Sequence, residues 1–495
     1  MMYGEEKSDS LIVAANLANN PQGAESVERR SGAKGNAEQP HMRRTQSRES
    51  MSQRLSRVRE AAKQRKKERF TALFHLLTAE ALENAFLSLS RKAAAGVDGV
   101  RWKDYAENLK VNIADLHRRL HQGSYRAQPG RRHYIPKADG KQRPLGIASL
   151  EDKIVQYALV KILNAVYEND FMGFSYGFRP GRSQHNALDA LATGLVRTNV
   201  NWVLDADISQ FFDKVSHEWL IRFIEHRIGD QRVIRLIRKW LTAGTSEEGE
   251  WRASEEGTPQ GAVISPLLAN IYLHYVFDLW AHQWRRRHAT GNVVMVRYAD
   301  DIVIGFDKRI DAQCFRIAMQ RRLKEFGLTV HPKKTRLMEF GRFAAENRAS
   351  RGKGKPETFN FLGFTHISGK DRSGRFMLIR KTRRDRMTAT LKAIKDGLRK
   401  RWHYSIPEQG KWLRRVVQGY LNYHSVPGNY PMMRKFRIYV TDLWRRALRR
   451  RSQQDDTTWT KVNRLAAVWL PKVRVLHPWP VERFTARHPR QEPGA

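Results

Sequence analysis

Residues 293–306, Val-Val-Met-Val-Arg-Tyr-Ala-Asp-Asp-Ile-Val-Ile-Gly-Phe, constrain this chain more than any other stretch. Two apolar, β-branched runs flank a short polar break, a pattern that predicts two strands joined by a tight turn. Asp300 and Asp301 fall at that turn, where rigid backbone on both sides would anchor the carboxylates while exposing them. Taken alone, an Asp-Asp pair at a turn is most often only a solvated turn. A second acidic site elsewhere is needed to make it chemistry.

The segment Trp202 to Asp213 supplies one. A strand expected over Val203 to Ile208 carries Asp205 and Asp207, which the two-residue repeat of a strand places on one face. Crowding three carboxylates is costly unless cations neutralise them, so convergence of acids from these two segments would call for divalent metal. With two Mg²⁺ ions such a set could run an in-line displacement at phosphorus, one ion activating a 3′-hydroxyl and the other stabilising the departing pyrophosphate. A single cysteine, Cys314, leaves neither an intramolecular disulfide nor a zinc site built from Cys pairs, so hard oxygen-liganded metals are favoured.

Charge narrows the partner. The 495 residues hold 90 Lys and Arg against 50 Asp and Glu, a net +40, which argues against a small-metabolite enzyme. Residues 371–495 contribute 30 cations against 9 acids, a local +21. There Trp402, Tyr404, Trp412, Tyr420, Tyr423, Tyr430, Tyr439 and Trp444 are interleaved with Arg383-Arg384, Arg414-Arg415 and Arg445-Arg446. Cations for phosphates and flat rings for bases suit single-stranded or folded RNA. The plainer alternative is that the rings are core and the cations a solvated face. No stretch approaches the ~20 apolar residues of a membrane span and no secretory layout is visible, so a cytoplasmic protein without membrane contact is expected.

Length suggests two to four domains. The first 50 residues are polar and expected to be disordered, with Met51 a second candidate start. Helical periodicity runs from Leu55 to Leu89 with a break near Thr78. Arg132–Ile135 and Leu145–Ile147 predict a β-hairpin with Lys137, Lys141 and Arg143 near its tip, a phosphate clamp or simply an exposed basic end. Helices are expected over Ile154–Tyr167, Trp219–Leu241 and Leu267–Trp284, a Gly/Arg-rich loop over Gly173–Arg182, a loop over Gly341–Lys355 and a short strand over Phe359–Phe364. Long basic helices then follow, interrupted by Pro407, Pro427 and Pro431.

In their order along residues 55–450 these segments resemble the reverse transcriptases, most closely the bacterial group II intron-encoded reverse transcriptase/maturases. Tyr298-Ala299-Asp300-Asp301 is similar to polymerase motif C, and Asp207 with Phe211-Phe212 to motif A. The resemblance implies Asp207, Asp300 and Asp301 as metal ligands, Asp205 as their neighbour, and Phe212 as the ring that excludes a ribose 2′-hydroxyl. Gly257-Thr258-Pro259-Gln260-Gly261-Ala262, continuing to Asn270, implies Gln260 at the nucleotide pocket, with Ala262 replacing the usual second Gly. Ile135-Pro136-Lys137 and Arg143-Pro144-Leu145 resemble the fingers motif that grips the triphosphate, which implies Lys137 and Arg143 as its ligands. Phe174 to Ser183 matches another fingers motif, implying template or RNA contact for Arg179 and Arg182. His331-Pro332-Lys333-Lys334-Thr335 resembles motif D and implies Lys334 as the acid that protonates pyrophosphate. Phe361-Leu362-Gly363-Phe364 resembles the primer-grip strand.

The fold implied is α+β: a right-hand polymerase whose fingers and palm carry antiparallel sheet, plus a helical thumb. Its parts would be a disordered extension over 1–50, N-terminal helices and fingers over 51–200, palm over 201–370, thumb or domain X over 371–452, and a basic tail over 453–495. In the family domain X binds intron RNA, which assigns Arg414, Arg415, Arg445 and Arg446 to RNA contact. The Cys-rich endonuclease that ends many relatives is not recognisable here, implying an endonuclease-lacking subclass. The expected activity is RNA-directed DNA synthesis on a DNA primer from dNTPs, with two Mg²⁺ ions, coupled to binding of group II intron RNA in splicing and mobility. The alternatives are a host-recruited reverse transcriptase in phage defence or repair, and a non-catalytic RNA-binding splicing factor. Oligomeric state is not legible.

Overall fold

The strands that carry the acids form because their residues are β-branched and buried on both faces. In the computed structural model, which describes residues 50–136, 142–247, 249–451 and 457–487, β6 (Val293–Tyr298) and β7 (Asp301–Phe306) pair antiparallel around Ala299-Asp300. From Val293 to Arg297, and again from Ile302 to Phe306, every residue is buried. β3 (Trp202–Asp207) pairs with β7, and β8 (Arg336–Glu339) with β3, giving a four-stranded sheet in the order β6-β7-β3-β8.

The described chain divides into two compact units, and neither is a consecutive stretch. The first unit takes Met172–Phe211 and the described residues from Leu273 onward. Its core packs the helix Gln184–Arg197 against the sheet through Leu188, Leu191 and Leu195, with Val203, Val294, Val296 and Val303 below. Ser183 caps that helix, its side chain and that of Asn186 satisfying each other's backbone N–H groups.

Phe359–Phe364 is not one strand. β9 (Phe359–Phe361) turns at Leu362-Gly363, both with positive φ, into β10 (Phe364–Lys370), which pairs with β11 (Phe376–Thr382). Within Gly341–Lys355 a short helix, Ala344–Ala349, interrupts the expected loop. The basic helices follow: Arg384–Arg399, Ile406–His424 and Tyr430–Arg449. Pro407 and Pro431 sit in the first turns of two of them, where the missing N–H costs nothing, so they mark starts rather than interruptions. Their shared core, with Leu413, Val417, Phe436, Val440 and Trp444, also takes in Val462, Ala466 and Leu470, so the packing continues past 452. Phe484, on the helix Pro480–Arg487, lies in the core beside the sheet, where Arg483 makes a two-pronged ion pair with buried Asp189.

The second unit holds the described residues up to Phe171 together with Phe212–Tyr272. Helices span Met51–Gln64, Ala79–Ser88 and Leu150–Tyr167, with Thr78 capping the second. β1 (Gly130–Pro136) and β2 (Gln142–Ile147) form the expected hairpin, and β4 (Thr245–Glu247) with β5 (Glu250–Arg252) extends it to a sheet ordered β2-β1-β4-β5. The expectations for residues 1–49 and for Lys137 and Lys141 lie outside the described residues. Strand and helix together make the fold mixed α+β, as expected. Among the described residues no helix is long and apolar enough to cross a membrane.

Candidate active site

In the first unit three acids meet because strand pairing brings them together. Asp207 ends β3 directly opposite Asp301, the first residue of β7, and Asp300 occupies the turn before it. Asp205 lies two residues back on the same face as Asp207, as the strand repeat requires. Although Asp301 is exposed as a residue, enough protein surrounds its carboxyl that desolvation, helped by Asp300, Asp207 and Asp205, pushes its pKa up to about 7 against the pull of Lys334. Burial likewise pushes Asp205 up to about 6, with Asp207 adding to it and Arg336 and Arg383 opposing.

Lys334 Nζ donates to Asp207 Oδ2 at 2.6 Å. The backbone follows the same path, His331 N donating to the Asp207 carbonyl at 2.7 Å. Repulsion among crowded carboxylates, offset by one lysine, is the chemistry of a site that takes a hard cation. By donor type and charge Asp207, Asp300 and Asp301 fit a divalent metal, although among the described residues no three acids or histidines stand in a ready-made coordination arrangement.

Arg297 is the residue that the sequence reading missed. Its guanidinium is fully buried beneath β6 and pairs with equally buried Asp278. The signal was present, since an Arg within Val-Val-Met-Val-Arg-Tyr must find a partner if the run is core.

The loop Phe174–Ser183 lies against this strand. Arg179 is buried and donates to the carbonyls of Met172 and Ser175 at 2.8 and 2.9 Å. Arg182 donates to the carbonyls of Gly173 and Ser175 and covers the Tyr176 ring. These guanidinium groups hold the loop's own backbone, Arg179 from a buried position and Arg182 from a half-buried one. Of the four arginines on the basic helices, Arg414 and Arg415 are exposed. Arg446 is exposed but paired with Asp442, and Arg445 is half-buried, bonded to Asp442 and stacked over Trp459. The aromatic residues divide: Trp444 and Tyr420 are core, whereas Tyr404, Tyr430 and Tyr439 are exposed.

The second unit holds the remaining candidates. Gln260 Nε2 donates to Asp213 Oδ1 at 2.9 Å, and Thr258 N to the Phe212 carbonyl at 2.7 Å, which ties the Gly257–Gly261 loop to the half-buried Phe212. Gly257 has φ +87, and a Cβ there would lie 2.9 Å from the Phe212 carbonyl, so glycine is required. Gly146 N of β2 donates to the Gln260 carbonyl at 2.7 Å, placing this loop beside the hairpin that carries exposed Arg143.

Residues 135–366 match the family model described as reverse transcriptase (RNA-dependent DNA polymerase). The chain is 43% identical over 206 residues to protein YkfC of Escherichia coli (strain K12), covering 41% of this chain and 54% of that protein. It is 37% identical over 223 residues to group II intron-encoded protein LtrA of Lactococcus lactis subsp. cremoris, covering 44% of this chain and 37% of that protein. To the putative COX1/OXI3 intron 1 protein of Saccharomyces cerevisiae it is 26% identical over 393 residues, 66% of this chain and 46% of that protein. The chain thus spans about half, or less, of the length of these curated relatives. The chain is thus similar over residues 135–366 to the reverse transcriptase family, and its similar proteins include one encoded by a group II intron and one named as an intron protein.

Proposed function

From the similarity of residues 135–366 to the reverse transcriptase family we propose that this protein is an RNA-directed DNA polymerase of the group II intron type, which also binds intron RNA as a maturase. The observation that carries this reading is the pairing of Asp207 with Asp301 across β3 and β7, with Asp300 in the intervening turn and Lys334 on Asp207. In this reading the architecture is a right hand: fingers around the β1-β2 hairpin, palm around β6-β7-β3-β8, and a thumb of basic helices from Arg384 onward.

Asp207, Asp300 and Asp301 would hold the divalent metal, Mg²⁺ in this proposal, which when bound would supply activation of the primer 3′-hydroxyl and charge neutralisation at the phosphates. The protein's own groups do the rest. Lys334 carries a proton beside Asp207, positioned for the leaving pyrophosphate. Phe212 closes the sugar side of the nucleotide pocket, Gln260 lines it, and Arg143 with Lys137 grips the triphosphate. Template RNA, a DNA primer, dNTPs and intron RNA are the partners. Arg414, Arg415 and Arg446, with exposed Tyr404, Tyr430 and Tyr439, form the RNA-facing set, and Arg445 contributes to it through the helix it stabilises.

Primer extension by the full chain on poly(rA)/oligo(dT) with Mg²⁺ and dTTP tests the proposal. Extension is the expected result. A well-folded preparation that binds RNA but extends nothing would leave only the non-catalytic splicing-factor reading.

A further inference from the structure

We propose that Arg297 and Asp278 are positioning residues for the carboxylate turn: a buried ion pair, seated on a π-helical turn, that fixes the backbone of Ala299 and through it the aim of Asp300 and Asp301. This rests on the polymerase reading above. Both side chains are completely buried, and the pair is two-pronged, Nε to Oδ1 at 2.7 Å and a terminal nitrogen to Oδ2 at 2.6 Å. Such pairs add little stability over apolar residues of the same volume, so stability alone does not account for one here.

The guanidinium also reaches the turn and the loop beside it. One terminal nitrogen donates to the Ala299 carbonyl at 3.0 Å, and the other also donates to Ser175 Oγ at 2.6 Å. Ala299 has φ +57, a left-handed conformation that costs a side-chain-bearing residue about 1–2 kcal/mol and persists where neighbours impose it. A second buttress stands opposite: Phe174–Tyr176 hydrogen-bonds along the motif C strand, Arg297 N to the Phe174 carbonyl and Tyr176 N to the Arg297 carbonyl, both at 2.8 Å. Gly177 then presses on the turn, since a Cβ there would lie 2.4 Å from Ala299 N.

Asp278 reaches Arg297 from the last residue of a π-helical turn, His274–Asp278, between the helices Ser265–Leu273 and Leu279–Arg287. The extra residue in such a turn re-aims the side chains that follow it, and these turns concentrate at functional sites. The Gly/Arg-rich loop, the π turn and the strand thus converge on one alanine whose two successors are the acids.

The test uses the full chain. The double substitution Arg297→Met with Asp278→Leu removes both charges, so that no unpaired buried charge remains, and with them the donor to the Ala299 carbonyl and Ser175 Oγ. Melting temperature, RNA affinity, KM for dTTP, kcat and Mn²⁺ binding, read by loss of the free-ion EPR signal, are measured against the unaltered protein. Expected are unchanged RNA affinity and KM, weakened Mn²⁺ binding, and a kcat reduced on the order of 10²-fold, the cost of a misplacement of roughly 1 Å. Wild-type kcat and Mn²⁺ affinity in the folded double variant would overturn the proposal, as would a kcat loss that merely tracks the unfolded fraction. If the double variant does not fold, Ser175→Ala and Gly177→Ala, which keep the ion pair, take its place. Weakened Mn²⁺ binding and lower kcat are expected of each, and wild-type values in both would overturn the brace. Failure of the unaltered protein to extend a primer would defeat the polymerase reading instead, and the Mn²⁺ comparison would still decide the brace.

Discussion

Lys334 Nζ lies 2.6 Å from Asp207 Oδ2, although 127 residues separate the two in sequence. The lysine side chain is 63% exposed and the aspartate side chain 19%, so the ammonium reaches a sheltered carboxylate from the solvent side. Lys334 thus reaches Asp207 directly, the contact on which its proposed role as acid rests. Lys334→Arg preserves the charge beside Asp207 but not a proton that can be given up. It is expected to lower single-turnover dTTP incorporation by about 10²- to 10⁴-fold with RNA affinity intact. An equal loss from Lys333→Arg would remove the assignment.

Asp300→Ala is expected to abolish primer extension and leave RNA binding in place, because it deletes a carboxylate from the turn without touching the thumb. Parallel filter-binding and extension assays check it, and retained polymerisation would defeat the assignment of Asp300 as a metal ligand.

Phe212 is half-buried and fixed from behind by the Gly257–Gly261 loop. Phe212→Ala is expected to admit ribonucleotides, read as a rise in incorporation of UTP relative to dTTP. Unchanged sugar discrimination would refute the gate.

Replacing exposed Arg414 and Arg415 with Gln should weaken RNA binding and flatten its salt dependence by roughly 0.7 in log–log slope per lost phosphate contact. Arg179→Gln is expected to do neither and to lower the melting temperature instead, since buried Arg179 holds the carbonyls of Met172 and Ser175. An identical salt-slope change from Arg179→Gln would return that residue to the RNA surface.

His366 is fully buried, stacked 4.8 Å from Phe359, and burial, with Arg380 nearby, pushes its pKa down to about 3. The unfolded chain takes up this proton near pH 6.5, whereas the folded protein resists it down to about pH 3. Stability from this group is therefore complete above pH 6.5 and is lost as pH falls toward 3, by about 1.4 kcal/mol per pH unit. His366→Phe is expected to flatten the fall in melting temperature between pH 7 and 5. An unaltered slope would show that other groups set it.

The local signals were legible where chemistry and periodicity coincide. The strands around Asp300, the face shared by Asp205 and Asp207, the β1-β2 hairpin and the Thr78 helix start all follow from side-chain alternation and capping. The β10-β11 hairpin was not, because its strand residues Phe364–Lys370 and Phe376–Thr382 are interspersed with Gly, Ser and cations and read as irregular. The bonds from Arg179 and Arg182 to loop carbonyls were also hidden, since nothing local in a sequence shows which carbonyls a guanidinium will meet.

By itself the sequence determined which residues could carry charge, which runs had to be strands, and that two acidic segments existed. Only the tertiary structure decided that Asp207 stands opposite Asp301, that Lys334 rather than Lys333 meets it, and that Arg297 braces the turn. The reason is physical: alternation and capping act within a few residues, whereas strand register and buried ion pairs are set by which distant segments exclude water together.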